Sequence, residues 1–469
     1  METVSKMSFL SHDKEFYKKL FSLLGFVAFQ NIIAYSVNMA DNIMLGSYDQ
    51  DALSGAAAVN QIFFLIQQFG VSVANSLVAI SAQYWGEKRT APIRTICGYA
   101  LKLSMIVGAG LIILGMAIPK QLCSIFSSKP EIIQQGADYM QIVIWSFGIY
   151  CVTTTFYAAL RAVGIVKIAF WMSVVTLVIN CGINAVLIYG LCGFPEMGIK
   201  GAAIGTLVSR IVEIIIVLIY VKKDKVLNLF QKGLFKANKV LRKDFYKVYF
   251  PIFCATVVWG ISIPVQTAIL GHLSSDALAA NSVASTFYQY AKVVTMAMSS
   301  VSGVMIGNAI GEGKRELVKQ AGRTLSVLDV ILGLILGALL FFLRTPLLSI
   351  YSLNENAMVL ADQLIILQAV IMVGMAYQMP VSFGVIQGGG DVKFTMKMNL
   401  ICTWAIVMPF TFMGAFWWHL PIVWLVLVIQ SDQLFKCLPV WLKFRKYKWI
   451  KKLTHDEAEI EAGKVKANA

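Results

Sequence analysis

The chain has 469 residues, of which 58% are hydrophobic and 14% are charged, and its formal net charge is +15. Soluble domains are typically about 25% charged and 45–50% apolar, so this composition excludes an ordinary water-soluble protein and indicates a lipid environment. The positive charge alone would allow nucleic-acid binding. It is divided among alternate loops, however, and this distribution argues against that class.

Twelve apolar segments follow one another along the chain. With their polar-flanked neighbours they reach the roughly 20 residues that a helix needs to cross the hydrocarbon core. The predicted helices lie at residues 18–43, 52–82, 94–118, 133–158, 168–190, 200–221, 246–270, 278–308, 322–343, 360–386, 396–417 and 421–443. The sequence therefore predicts an all-α, polytopic membrane protein with twelve transmembrane helices.

Lysine and arginine are concentrated in every second connection between these segments. The basic connections begin at Lys88 and Arg89, include the stretch 222–245, and end with the tail that follows Lys443. This positive-inside pattern predicts that both termini are cytoplasmic and that the chain is a multi-pass protein of the plasma (inner) membrane. The first apolar run is too long and too polar for a cleavable signal peptide. The lipid bilayer is thus an expected partner, and nucleic acid is not.

The chain also repeats itself. Residues 41–89 align without a gap to residues 266–314, at an offset of 225, and Leu45-Gly46 matches Leu270-Gly271. Each repeat holds six helices, so the two halves are parallel, as in many secondary transporters with a central cavity. The predicted organisation is an N-terminal lobe (1–221), a cytoplasmic linker (222–245), a C-terminal lobe (246–443) and a cytoplasmic tail (444–469). Duplication without transport is the alternative.

Three groups of motifs occur in a fixed order along these repeats. They are Asn38–Gly46 with Asp51-Ala52-Leu53, the paired loops Leu160–Gly164 and Ile386–Asp391, and Asn180 and Asn184 with Phe194–Ala203. In their order along the chain they resemble the multidrug and toxic-compound extrusion (MATE) family over the whole chain. The resemblance implies a V-shaped bundle of two six-helix lobes. It also implies export of a small molecule, driven by a proton or sodium gradient.

Asp41, near the outer end of the first helix, is the main candidate for the coupling site. Asn38 is three residues before it and Gln30 lies three turns earlier on nearly the same face. A carboxylate flanked by amides can hold a proton or a cation, and the resemblance implies the coupling role for Asp41. The alternative is an interfacial aspartate that stays hydrated. Gln30 and Asn38 would line the substrate cavity. No cofactor is expected, and the coupling ion is H+ or Na+.

Asn180 and Asn184 are one turn apart and face the same direction, and Thr206 is expected to face the same cavity. Relatives often carry a carboxylate at the position of Asn184, so the expected site has one charge fewer. Hydrogen bonding between helices is the alternative role of the two asparagines. The repeat partner of Asp41 is Gln266. Coupling is therefore expected in the N-terminal lobe, which resembles the DinF-like branch more than the NorM-like branch.

Further polar residues inside the predicted helices have a structural or gating interpretation. Arg210 and Glu213 are three residues apart, and we expect a partly buried ion pair rather than a gate. Lys292 lies far from the ends of its helix, so it would either snorkel or pair with a carboxylate across the substrate cavity.

Prolines inside the predicted helices are candidate hinges, because proline interrupts the hydrogen-bond ladder. They are Pro251, Pro264 and Pro380 in the C-terminal lobe. Their alternative role is that of ordinary membrane-helix prolines. In the first helix Phe26 stands where relatives commonly have proline, so bending of that helix at a proline is not expected.

These patterns predict a monomeric secondary transporter that exports organic, cationic amphipathic compounds by alternating access. A flippase for lipids or lipid-linked oligosaccharides is the alternative, but a pyrophosphate-bearing lipid would call for several cavity-lining Arg or Lys residues. An intramembrane enzyme would need clustered His, Asp, Glu or Cys. The four histidines are instead scattered over loops and tails, so no enzyme is expected.

Overall fold

The fold consists of helices and their connections. The computed structural model describes residues 10–126, 129–230, 234–273, 275–349 and 355–462. Within these ranges, twelve helices are long and apolar enough to cross a membrane. In chain order they are α1 Lys14–Tyr48, α2 Gln50–Gly86, α3 Thr90–Ala117, α4 Pro130–Ala162, α5 Lys167–Tyr189, α6 Ile199–Lys223, α7 Lys239–Leu273, α8 Ser275–Gly311, α9 Arg315–Leu348, α10 Glu355–Ile386, α11 Val392–Phe416 and α12 Ile422–Arg445. The predicted all-α fold with twelve spans is confirmed.

Local signals set several helix ends. Pro130 occupies the first turn of α4, where its missing N–H costs nothing. Gly190 ends α5 with φ of 66°, in the left-handed region that glycine enters without a steric penalty. Short helical pieces outside the twelve spans lie at Pro119–Ser124, Leu191–Gly193 and Glu457–Ala462.

The helix bounds reproduce the sequence repeat. The first two helices of each half, α1 and α2 against α7 and α8, begin and end at residues that differ by 225 in number. This offset is the one at which the two halves of the sequence align. The duplication therefore extends from residue identities to the lengths of these helices.

Contacts group the described residues into two compact units. The first contains the described residues within Met1–Ala28, Ala82–Lys88 and Phe250–Thr454, and the second contains those within Phe29–Ser81, Arg89–Tyr249 and His455–Ala469. Each unit has its own apolar core, around Leu364, Ile371 and Met372 in the first and around Val59, Met140 and Phe147 in the second. The division into an N-terminal lobe (1–221), a linker (222–245) and a C-terminal lobe (246–443) stays a prediction.

Within the first unit, the C-terminal segment (residues 446–454) packs on the loop between α10 and α11. The Trp449 ring is fully buried and lies against Gly389, where any side chain would collide with it. The backbone N–H of Lys451 donates to the Gly389 carbonyl at 2.8 Å, and Gln83 of α2 accepts from the Leu453 N–H at 2.8 Å. The glycines of this loop thus leave room for the C-terminal segment.

Asp391 fixes the same segment by charge. Its two carboxylate oxygens lie 2.6 Å from Lys443 Nζ and 2.9 Å from Lys451 Nζ. Burial raises the pKa of Asp391, but the hydrogen bonds and charges of the two lysines outweigh burial and lower the pKa below its ordinary value. The carboxylate is therefore held ionised in this loop.

The candidate hinge prolines differ in their local structure. Pro251 and Pro264 lie inside the continuous helix α7. Pro380 begins a π-helical stretch, Pro380–Ile386, that completes α10. A π-helical turn widens the hydrogen-bond register and marks a place where a helix can adjust. The hinge role of all three prolines stays a prediction.

Candidate functional site

In the second unit, hydrogen bonds join the four predicted coupling residues. Asp41 of α1 is buried, with 7% of its surface exposed. Asn184 Nδ2 donates to Asp41 Oδ1 at 2.6 Å and to Asn180 Oδ1 at 3.3 Å. Asn180 Nδ2 in turn donates to Thr206 Oγ1 at 3.2 Å. The structure therefore places Asp41, Asn180, Asn184 and Thr206 in one polar cluster contributed by α1, α5 and α6.

A glycine makes room for this cluster. Gly205 precedes Thr206 on α6, and a Cβ atom at Gly205 would collide with Asn184 Oδ1. Asn180 and Asn184 share one face of α5 because they are one turn apart. Because α5 and α6 approach closely at Gly205, the asparagines on this face contact both Thr206 of α6 and Asp41. Small residues allow such close packing of membrane helices.

The cluster offers oxygen atoms to a proton or a small cation. Asp41 supplies a carboxylate, the two asparagines supply amide oxygens, and Thr206 supplies a hydroxyl. The Oδ1 atom of Asn184 is buried and accepts no hydrogen bond from any residue that the structure describes. An acceptor next to a buried carboxylate can receive the O–H of the protonated acid or coordinate a hard cation.

The polar neighbours predicted on α1 occupy a different environment. Asn38 is exposed and Gln30 is partly exposed, whereas the hydrogen bonds around Asp41 come from α5 and α6. A residue that the sequence analysis missed, Tyr139 of α4, is buried and interacts with the Thr206 hydroxyl and with the charge of Asp41. The polar surroundings of Asp41 therefore extend to α4 rather than along α1.

Arg210 and Glu213 form an ion pair at 2.7 Å on α6. Tyr157 of α4 donates to the other oxygen of Glu213 at 2.8 Å, and the Tyr150 ring lies 5.6 Å from the Arg210 guanidinium. Tyr139, Tyr150 and Tyr157 are spaced by 11 and 7 residues, which places them on one face of a helix. That spacing is a sequence signal for the two tyrosines that surround this pair.

The first unit contains a second set of buried charges. Lys292 of α8 lies with its Nζ 4.6 Å from the centre of the Trp259 ring, in cation–π geometry. On α12, Lys436 pairs with Asp432 at 2.6 Å and donates to Asn399 Oδ1 at 3.0 Å.

The sequence analysis missed Asp432, Lys436 and Asp329, each of which lies inside a segment that was read as apolar. All three are buried. The expectation that coupling belongs to the N-terminal lobe rests on Gln266 of α7, whereas these buried charges lie on α9 and α12.

A duplicated twelve-helix membrane protein with a buried cluster of carboxylate, amide and hydroxyl groups has the construction of a secondary transporter. A family model described as MatE matches residues 27–186 and 251–413. The chain belongs to the MATE family, as the resemblance of its motifs predicted.

Named relatives and solved structures agree with this assignment. The probable multidrug resistance protein NorM of Rhizobium meliloti (strain 1021) is 26% identical over 82% of this chain and 85% of its own length. The probable multidrug resistance protein YoeA of Bacillus subtilis (strain 168) is 23% identical, over 77% and 79%.

The Vibrio cholerae MATE transporter VcmN in its bent form shares the fold. Its TM-score is 0.81 at 18% identity, and the match covers 92% of this chain and 97% of that one. A MOP superfamily transporter from Pyrococcus furiosus has a TM-score of 0.83 at 18% identity, over 97% and 100%. The chain belongs to the MATE family, and the two relatives NorM and YoeA are named as multidrug resistance proteins. The chain is therefore a transporter rather than an enzyme, and the flippase alternative is not favoured.

Proposed function

We propose that this protein exports organic, cationic amphipathic compounds in exchange for protons or sodium ions by alternating access, with Asp41 as the coupling group. The observation that carries the proposal is the hydrogen-bonded cluster of Asp41, Asn184, Asn180 and Thr206. The class of substrate is supported by relatives that are named multidrug resistance proteins. No cofactor takes part besides the coupling ion.

The coupling step follows from the chemistry of the cluster. When Asp41 is ionised, Asn184 Nδ2 donates to its carboxylate in a charge-assisted bond. A proton or cation on Asp41 removes the charge that favours this bond, so the amide of Asn184 gains freedom to turn its oxygen toward the new ligand. Binding of the ion is thereby linked to the contact of α1 with α5.

A cationic substrate fits the same balance of charge. Arg210 and Glu213 neutralise each other, whereas the hydrogen bonds of Asp41 come from uncharged groups. A cationic substrate and the coupling ion would compete for the negative charge of Asp41, and such competition is what exchange requires. Gln30, Asn38 and Lys292 are proposed to line the substrate cavity.

The orientation and the branch of the family are part of the proposal. Both termini are placed in the cytoplasm because the basic loops alternate along the chain. The DinF-like branch is preferred because Gln266 stands at the repeat position of Asp41. The protein is proposed to act as a monomer in the plasma (inner) membrane.

The test uses purified protein reconstituted in liposomes. Efflux of a fluorescent organic cation is followed under a proton gradient, a sodium gradient or neither, for the wild type and for Asp41→Asn. The matched control is Asp51→Asn, because Asp51 is a partly exposed carboxylate in the first turn of α2. We expect Asp41→Asn to lose the response to one gradient and Asp51→Asn to keep it. Normal gradient-driven efflux by Asp41→Asn would overturn the coupling role.

A further inference from the structure

Asp329 of α9 is a carboxylic acid for which the coupling scheme has no use. It lies within the span Arg315–Leu348, and none of its surface is exposed. Both of its carboxylate oxygens are buried, and neither takes part in a hydrogen bond or ion pair with any residue in the described part of the chain. An ionised carboxylate in such a place is strongly disfavoured because no partner among the described residues offsets its charge, so the neutral, proton-bearing acid is the form that fits this conformation.

The charged groups on neighbouring helices do not offset a negative charge at Asp329. On α12, Lys436 is paired with Asp432 at 2.6 Å, and Cys437 is the further titratable group near Tyr377. On α8, Lys292 lies over the Trp259 ring. On α10, Asp362 is paired with Arg344 at 3.0 Å. A proton would therefore neutralise the Asp329 carboxylate, as an ion pair neutralises other buried carboxylates in this unit.

Two hydroxyl groups stand near the acid. Ser326 is one turn before Asp329 on α9, and the hydroxyl of Tyr377 on α10 interacts with Ser326 and with the charge of Asp329. The Tyr377 hydroxyl is itself buried and donates to neither carboxylate oxygen of Asp329 in this conformation. Hydroxyl donors of this kind stabilise a carboxylate once they reach it.

Near Asp329, the local structure of α9 and α10 allows the two helices to shift relative to each other. Gly333 packs directly on Val373 and Ala376, so the two helices approach closely one turn away from Asp329. The π-helical stretch of α10 begins at Pro380, three residues after Tyr377. A change of helical register there would move the Tyr377 hydroxyl relative to Asp329.

We propose that Asp329 is a second proton-binding site, loaded in this conformation and unloaded when Tyr377 and Ser326 donate to its carboxylate. In the unloading step the carboxyl O–H bond breaks, its electron pair stays on the carboxylate, and the proton passes to water. Loading is the reverse. This inference rests on the proposed transport function for its role in the cycle. It raises by one the number of protons that are exchanged for each exported substrate.

The first test is spectroscopic and needs no transport. Infrared difference spectra of the reconstituted protein, recorded as the pH is raised, are compared for the wild type, Asp329→Asn and Tyr377→Phe. We expect the wild type to show a component of the protonated-carboxyl carbonyl band that disappears reversibly at high pH and is missing from Asp329→Asn, whatever Asp41 contributes. In Tyr377→Phe the band persists to higher pH, because the donor to the carboxylate is gone. A spectrum of Asp329→Asn identical to that of the wild type would overturn the proposal.

The second test measures the number of protons exchanged per substrate, from the pH gradient that halts efflux in liposomes. Asparagine has the shape of the protonated acid, so Asp329→Asn is expected to fold and to move one proton fewer per substrate. Unchanged stoichiometry would leave Asp329 a structural residue and overturn its role. If the wild type moves no substrate under any gradient, the proposed transport function fails, while the infrared result still decides whether Asp329 binds a proton. If Asp329→Asn does not fold, the pH dependence of the band in Tyr377→Phe decides.

Discussion

Replacing Gly205 by alanine is the most direct structural perturbation of the candidate coupling site. The new Cβ would occupy the position of Asn184 Oδ1, so the Asn184 amide must move. Its hydrogen bond to Asp41, now 2.6 Å long, would break. A hydrogen bond to a charged group contributes about 1.5–3 kcal/mol, which corresponds to roughly a 10- to 160-fold change in the equilibrium that depends on it. We expect gradient-driven efflux by Gly205→Ala to fall by a factor in that range.

The assay is the initial rate of dye efflux from proteoliposomes under the gradient that drives the wild type. Gly182→Ala is the control, because Gly182 lies on α5 beside this cluster and a Cβ there meets nothing within 4 Å. Both variants add one methyl group to a membrane helix. The melting temperature of each purified variant shows whether the fold is kept.

A double-mutant cycle separates the hydrogen bond from general crowding. Asn184→Ala removes the amide that Gly205→Ala displaces, so the loss in the double variant should be close to the loss in Asn184→Ala alone. Additive losses would mean that Gly205 acts elsewhere. Wild-type efflux by Gly205→Ala would refute the reasoning that ties Asn184 to Asp41.

Two further predictions concern stability. Glu213→Gln leaves the guanidinium of Arg210 without its carboxylate in a largely buried site, which costs about 3–5 kcal/mol and lowers the melting temperature. The control is Glu316→Gln, at a carboxylate that is 65% exposed, and it should change the melting temperature little. Asp391 has a lowered pKa in the folded protein, so it contributes stability above the unfolded pKa of about 4 and loses it as pH falls through the lower folded pKa. Asp391→Asn should therefore destabilise the protein at neutral pH, and the difference from the wild type, followed by thermal unfolding, should shrink below about pH 4. A difference that is constant with pH would show that the charge of Asp391 contributes nothing.

The number and order of the helices could be predicted because a long apolar segment indicates a helix that is surrounded by lipid. The helix ends could not be predicted as well. The first helix was predicted at 18–43 and extends over Lys14–Tyr48, and the seventh was predicted at 246–270 and extends over Lys239–Leu273. The extra turns carry polar residues such as Lys14 and Arg242. A helix can continue beyond the apolar core, where its hydropathy no longer differs from that of a loop.

Part of the candidate site was readable from spacing alone. Asn180 and Asn184 are one turn apart, which fixes a common face without any knowledge of the fold. The collision that makes Gly205 important depends on how α5 and α6 are rotated against each other, and no pattern within one helix gives that rotation. The same holds for Asp329, because its complete burial depends on how neighbouring helices pack around α9.

The loop Gly388–Asp391 illustrates a third case. Its residues resemble a family motif, but no local pattern in the sequence explains three consecutive glycines. The reason lies about 60 residues further along the chain, where the Trp449 ring packs on Gly389 and the Lys451 backbone packs on Gly390. A contact of this range between a loop and a tail leaves no periodic trace in either segment.

The packing of the C-terminal segment also has a consequence for biosynthesis. Gln83 of α2 is made long before residues 446–454, yet its side chain is satisfied by the backbone of Lys451 and Leu453. Until those residues have left the ribosome, the buried amide of Gln83 lacks the backbone groups of Lys451 and Leu453. The carboxylate of Asp391 likewise lacks the ammonium group of Lys451. The first unit therefore completes the packing of its C-terminal segment only after the last span is synthesised, and a partly inserted chain exposes polar groups that quality-control proteases can recognise.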